Sequence, residues 1–180
     1  MRLVTERLVL REFVADDWPA MLAHHRDPRY LAHYPQEAGS EATLRALLGM
    51  LVAWQREEPR YRWQLAITLR DNDELIGNCG IRLTAPGALQ AELGYGLSAE
   101  HWRQGYAAEA ARRMLALAFN ELHVHRVGAR VVASNTRSIA LLERLGFAPE
   151  GRLREYERIG EQWRDMLLYG LLAQEWAAMP

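Results

Sequence analysis

The 180-residue sequence predicts an α/β or α+β fold, a central sheet of about six to seven strands with helices on both faces. Three observations carry that expectation. Apolar residues recur at helical spacing in some segments and alternate with period two in others. The two kinds of segment interleave along the chain, and no linker, internal repeat or low-complexity stretch separates them.

Taken in order, ERLVLREF reads as a first strand, and Asp16-Asp17 before Trp18-Pro19 as a helix start with proline in the first turn. Ser40 suits the cap of a second helix, whose Leu44, Leu47, Leu48 and Leu51 share one face. In YRWQLAITL the period changes to two, the pattern of a half-buried strand. Asp71-Asn72-Asp73 turns the chain into a hairpin partner, ELIGNCGIRL, and AELGYGL adds another strand. From Gly105 a helix presents Ala107, Ala110, Ala111, Met114, Leu115, Ala118 and Leu122 as one stripe. RVGARVVAS is a strand feeding the short helix NTRSIALLERLG, which Gly146 closes. Two last strands are expected, roughly Ala148–Ile159 and Gln162–Leu172.

Composition narrows the classes. At 180 residues, one domain over 1–180 is expected. Lysine and arginine number 22 against 23 acidic residues, so no electrostatic footprint for nucleic acid exists. The only cysteine, Cys79, excludes an internal disulfide and a thiolate metal cluster, which favours a reducing compartment. MRLVTERLVLREF is interrupted by charges and reads as neither signal peptide nor membrane span, so a cytoplasmic protein is expected.

The stretch HWRQGYAAEAA carries the first chemical signal. A helix starting near Gly105 leaves unpaired backbone N–H groups at the positive end of its dipole. Glycine at 105 and alanines at 107 and 108 keep side chains clear, so a phosphate can approach the backbone. Arg103 adds a cation. The alternative is a tight turn that needs glycine only for steric reasons.

The runs ELGYGLSAEHWRQGYAAEAARRML and ARVVASNTRSIALLERLGF, with TERLVLREF before them and GEQWRDMLLY after, resemble the GNAT superfamily of acyl-CoA-dependent N-acetyltransferases. The similarity is greatest to the branch containing the ribosomal-protein N-terminal (alanine/serine) acetyltransferases. The family motif Gln/Arg-x-x-Gly-x-Gly/Ala is matched by Trp102 to Ala107 except at Trp102. The resemblance implies a mixed, strongly bent sheet split between AELGYGL and RVVAS, with acetyl-CoA in the split. It implies that the backbone of Tyr95, Gly96 and Leu97 pairs with the pantetheine arm and polarises the thioester carbonyl. Arg103, Gln104, Gly105, Tyr106, Ala107 and Ala108 would hold the pyrophosphate, and Asn135 the pantetheine region. Asn135 also reads as a helix N-cap.

The implied reaction is direct attack of a neutral amine on the thioester, with no metal. A lysine amine costs roughly 4.6 kcal/mol to deprotonate at pH 7, an α-amine about 1.4 kcal/mol. Glu92 is the candidate base; the alternative is a strand carboxylate pairing across the sheet. Many family members place an acidic tyrosine where this chain has Leu142; Ser138, three residues after Asn135, matches a serine of the ribosomal-protein branch, which implies a hydrogen bond to the sulfur, the alternative being an ordinary first-turn helix serine. Tyr156 and Tyr169 are further candidates for the acid but read chiefly as core or groove wall, Cys79 reads as a buried thiol, and His123-Val124-His125 as a solvated connection. Trp18, Tyr30, Tyr34, Trp54, Tyr61, Trp63 and Trp163 are available to line an acceptor groove. Such a groove suits a peptide N-terminus, a polyamine or an antibiotic amine, and the missing tyrosine leaves a non-catalytic acyl-CoA sensor as a further reading. The expected partners are therefore acetyl-CoA and an amine, without nucleic acid or membrane, in a monomer or homodimer.

Overall fold

The computed structural model describes residues 1–34 and 36–179, without the side chains of Gln36 and Glu37. It contains one mixed sheet of eight strands: β1 (Arg2–Val4), β2 (Leu8–Arg11), β3 (Arg62–Leu69), β4 (Leu75–Leu83), β5 (Gln90–Leu97), β6 (Arg126–Val132), β7 (Ala148–Ile159) and β8 (Gln162–Leu172). Their order is β1-β2-β3-β4-β5-β6-β8-β7. The expected six to seven strands become eight because the first segment folds back on itself. Thr5 N–H bonds Leu8 O at 2.9 Å, and Leu3 then sits opposite Leu10.

Five helices flank or follow the sheet in positions the sequence marks only partly: α1 (Trp18–Arg26), α3 (Glu41–Trp54), α4 (Tyr106–Ala116), α5 (Thr136–Arg144) and α6 (Ala173–Ala177), with a single turn, α2 (Pro28–Leu31), after α1. Ser40 caps α3 by accepting from Thr43 N–H at 3.2 Å. A π-turn over Leu117–Glu121 carries α4 into the loop before β6.

The helices divide between two faces. The Leu44, Leu48 and Leu51 stripe of α3 packs with Met21 of α1 and Ala66 of β3 in a small cluster. The larger core lies on the other face, where Met114 and Leu115 of α4 and Leu142 of α5 meet Leu65, Ile67, Ile81 and Leu93. Covering both faces explains why Leu65 to Thr68 are all buried although the alternation in β3 reads as a half-buried strand.

One irregularity positions everything that follows. Strands β5 and β6 run parallel but pair only over Gln90–Glu92 with Arg126–Gly128. Beyond Glu92 they separate, while β5 remains paired with β4 as far as Leu97 and β6 with β8 as far as Val132. The sheet is therefore split along the second half of β5.

Candidate functional site

A cavity of about 700 Å³ occupies the split and passes between the two helical layers. Its walls include every residue expected to bind the cofactor or take part in the chemistry except Gln104. That residue sits on the loop surface, its amide donating to Glu100 O at 3.1 Å.

The open edge of β5 forms one wall. Ser98 N–H donates to Ile76 O at 2.8 Å and Thr84 N–H to Gln90 O at 3.2 Å. With the register Gly77 to Leu97, these bonds assign the even-numbered residues of β5 to the ladder with β4. The backbone groups of Leu93, Tyr95 and Leu97 consequently face the split. Leu97 O is already engaged by Trp102 Nε1–H at 2.8 Å, which leaves the Tyr95 and Leu97 N–H groups as donors. Gly96 is glycine for a packing reason. Its backbone belongs to the β4 ladder, and a Cβ there would lie 2.5 Å from the Tyr30 hydroxyl. The glycine makes room for an internal tyrosine as well as shaping the wall.

The second wall is the start of α4. Gly105 is its N-cap, at φ +84°, and Arg103 is also left-handed, at φ +64°. Alternating backbone handedness gathers successive N–H groups into a concave anion nest in front of the helix. Ala107 and Ala108 leave that approach clear and line the cavity.

Arg7, in the turn between β1 and β2, pins this loop from behind, a role with no local signal in the sequence. Its Nη1 donates to Gln104 O at 2.9 Å, its Nε to Glu109 Oε2 at 2.7 Å, and its guanidinium covers the Tyr106 ring at 4.5 Å. Thr5 Oγ1 donates to the same carboxylate at 2.6 Å. Burial opposes ionisation of Glu109, but hydrogen bonds from Thr5 and Arg7 hold its carboxyl below the ordinary range.

The start of α5 closes the split opposite β5. Asn135 caps the helix, its Oδ1 accepting from Ser138 N–H at 3.2 Å. The Ser138 hydroxyl lies 2.7 Å from the Tyr95 hydroxyl, a contact that crosses the gap between β5 and α5. Burial pushes the Tyr95 phenol well up, so it remains protonated. Leu142, one turn further along, is 1% exposed and offers no proton.

Glu92 sits where the split begins. Arg130 Nη2 is 3.3 Å from each of its oxygens, and Arg82, directly opposite on β4, is 3.6 Å away. The carboxylate thus faces the cavity while engaged across the sheet on both sides.

Helices α1 to α3 supply the remaining wall. Tyr30 and Tyr34 stack with centroids 5.1 Å apart, and Trp54 also lines the cavity. His25 donates Nδ1–H to Met21 O at 2.8 Å, and burial lowers its pKa and keeps the ring neutral. Trp18, Tyr61, Trp63 and Trp163 do not line the cavity. Trp63 is in the core, Trp18 packs against the α1–α3 cluster under Arg45, and Trp163 is exposed on the last hairpin. Tyr169 is also core, bonded to Glu143 at 3.2 Å, and Tyr156 is exposed. Cys79 is fully buried and its thiol is pushed up to about 12 by burial.

The family described as Acetyltransferase (GNAT) domain matches residues 7–148. The uncharacterized N-acetyltransferase p20 of Bacillus licheniformis is 34% identical, over 97% of this chain and 98% of its own. The ribosomal protein uS5-alanine N-acetyltransferase of Escherichia coli (strain K12) is 30% identical, over 98% of this chain and 93% of its own. Among solved structures, Mycobacterium smegmatis RimJ in complex with CoA-disulfide superposes with a TM-score of 0.80 at 25% identity, covering 93% of this chain and 83% of that one. A GNAT-family acetyltransferase from Bacillus anthracis shares the fold with a TM-score of 0.83, over 97% and 99% of the two chains.

Proposed function

The chain belongs to the GNAT family of N-acetyltransferases, and from that premise we propose that it moves the acetyl group of acetyl-CoA to the α-amine of a protein or peptide N-terminus. The observation that carries the reading is the open edge of β5, which meets the α4 anion nest in one continuous cavity. The pantetheine arm lies along β5 as an added strand, and the pyrophosphate sits on the N–H groups from Arg103 to Ala108. The whole described sheet forms one unit around that cavity, consistent with a single domain.

The chain's own groups then divide the chemistry. The Tyr95 and Leu97 N–H groups, held in the β5 backbone, stabilise negative charge on the thioester oxygen as the amine adds. The new C–N bond forms and the C–S bond breaks. Ser138 donates its hydroxyl to the departing sulfur, with the Tyr95 hydroxyl anchoring it across the split. The amine gives up its proton through water toward Glu92. Because two guanidiniums engage that carboxylate, it suits an acceptor that needs little help, such as an α-amine near pKa 8. The relative that acts on a ribosomal-protein alanine supports the same choice.

Thiol release from acetyl-CoA, measured against N-terminal peptides, lysine side-chain peptides, polyamines and aminoglycosides, tests the proposal. Turnover is expected with N-terminal peptides and to be at least about tenfold slower with the other amines. Faster transfer to a small-molecule amine would replace the acceptor assignment. Tight acetyl-CoA binding without transfer to any amine would favour a sensor, the role that Leu142 at the usual acid position would suit.

A further inference from the structure

The arginines that line the cavity fall into two groups. On the acceptor side, Arg29 is paired with Asp27, while Arg82 and Arg130 share Glu92. Around the starts of α4 and α5, Arg103 and Arg137 have no carboxylate partner among the described residues, nor has Arg144 at the far end of α5. Two of these three unneutralised charges, Arg103 and Arg137, thus lie at the end of the cavity that holds the anion nest.

Arg137 differs from its neighbours in being held. Its guanidinium lies over the Trp102 ring at 4.4 Å, and that ring is itself fixed by the Nε1–H bond to Leu97 O. Tryptophan is the best aromatic partner for a cation, and a stacked guanidinium keeps its edge N–H groups free to bind an oxyanion. The side chain therefore reaches from α5 across the split and presents its donors at the loop that leads into Gly105. Trp102 is also the position at which the chain departs from the Gln/Arg of the family motif. Arg137 thus places a cation from the opposite wall beside the one motif position where the loop itself carries an aromatic ring.

We propose that Arg137, positioned on the Trp102 ring, binds a phosphate of the acetyl donor and is a cofactor-affinity determinant of this chain. The inference rests on the acetyl-CoA reading above. Two sources of that phosphate exist in the ligand, the pyrophosphate bridge and the ribose 3′-phosphate, and three ligands separate them: acetyl-CoA, acetyl-dephospho-CoA and S-acetylpantetheine.

Calorimetric titration of each ligand into the parent protein, Arg137→Gln and Arg137→Lys tests the proposal. A charge-assisted contact of this kind makes Arg137→Gln bind acetyl-CoA roughly 10- to 100-fold more weakly. Arg137→Lys is expected to recover part of the loss, and S-acetylpantetheine to bind both variants like the parent. Equal losses for acetyl-CoA and acetyl-dephospho-CoA assign the pyrophosphate; a loss confined to acetyl-CoA assigns the 3′-phosphate. Arg137 is exposed, so the variants are expected to melt with the parent. Unchanged acetyl-CoA affinity in Arg137→Gln, or an equal loss for S-acetylpantetheine, would overturn the inference while leaving the acetyl-CoA reading intact. A parent protein that binds none of the three would overturn both.

Discussion

At the residue scale, Glu92 shows how one side chain serves two descriptions. It is an across-sheet ion-pair partner, opposite Arg82 and against Arg130, and it lines the cavity where the split opens. Its presence on the strand was legible from AELGYGL; its two arginine neighbours were not, because Arg82 and Arg130 come from strands on either side. Glu92→Gln keeps size and reach and removes only the negative charge. With an α-amine acceptor, the rate is expected to fall less than about tenfold, and the loss to shrink as pH rises toward about 9 and the amine loses its proton unaided. With a lysine-like amine, loss of a true base costs on the order of 10² or more. A pH–rate profile unchanged in shape and height would remove Glu92 from the mechanism. The hydroxyl pair of Tyr95 and Ser138 was only half visible. The resemblance to the ribosomal-protein branch marks Ser138 but only the backbone of Tyr95, since nothing local says that the Tyr95 ring crosses to α5.

At the element scale, strong periodicity was readable and single turns were not. The stripes of α3 and α4 emerge from leucine and alanine spacing, and Ser40 caps α3 as its side-chain chemistry suggests. α2 is one turn begun by Pro28, too short to display a period, yet it places Tyr30 against Gly96. The turn between β1 and β2 is the clearest case of a function set by distance along the chain. Arg7 reaches Gln104 and Glu109, and no local pattern links positions so far apart. Arg7→Gln removes a guanidinium clamp that is half exposed, so its stability cost is modest, about 1 kcal/mol and a few degrees of Tm. The larger effect is expected at the loop before α4, the proposed phosphate cradle. KM for acetyl-CoA is expected to rise several-fold, with kcat and the acceptor KM nearly unchanged. A variant that loses kcat with KM intact would contradict a loop-holding role.

At the scale of the molecule, the sheet is broken at one place and complete elsewhere, and that break opens the candidate site. Antiparallel pairing holds β1 to β5 together and β6, β8 and β7 together, and a short parallel contact from Gln90 to Glu92 joins the halves. The two glycines of AELGYGL set β5 apart from a plain structural strand, but the split itself follows from family resemblance and not from β5 or β6 alone. The anion nest is different, because Gly105 and the alanines behind it announced a helix start open to phosphate. Its left-handed φ of +84° makes that position intolerant of branched side chains, while the nearest atom to an added Cβ is the mobile end of Arg7 at 3.2 Å. Calorimetric titration of acetyl-CoA into the parent protein and Gly105→Val is therefore the most direct test of the site. The expected result is saturable binding to the parent and binding at least about tenfold weaker to a variant that still melts cooperatively, in line with the loss of charge-assisted contacts. Equal affinity in the two proteins would show that the start of α4 does not hold the phosphates.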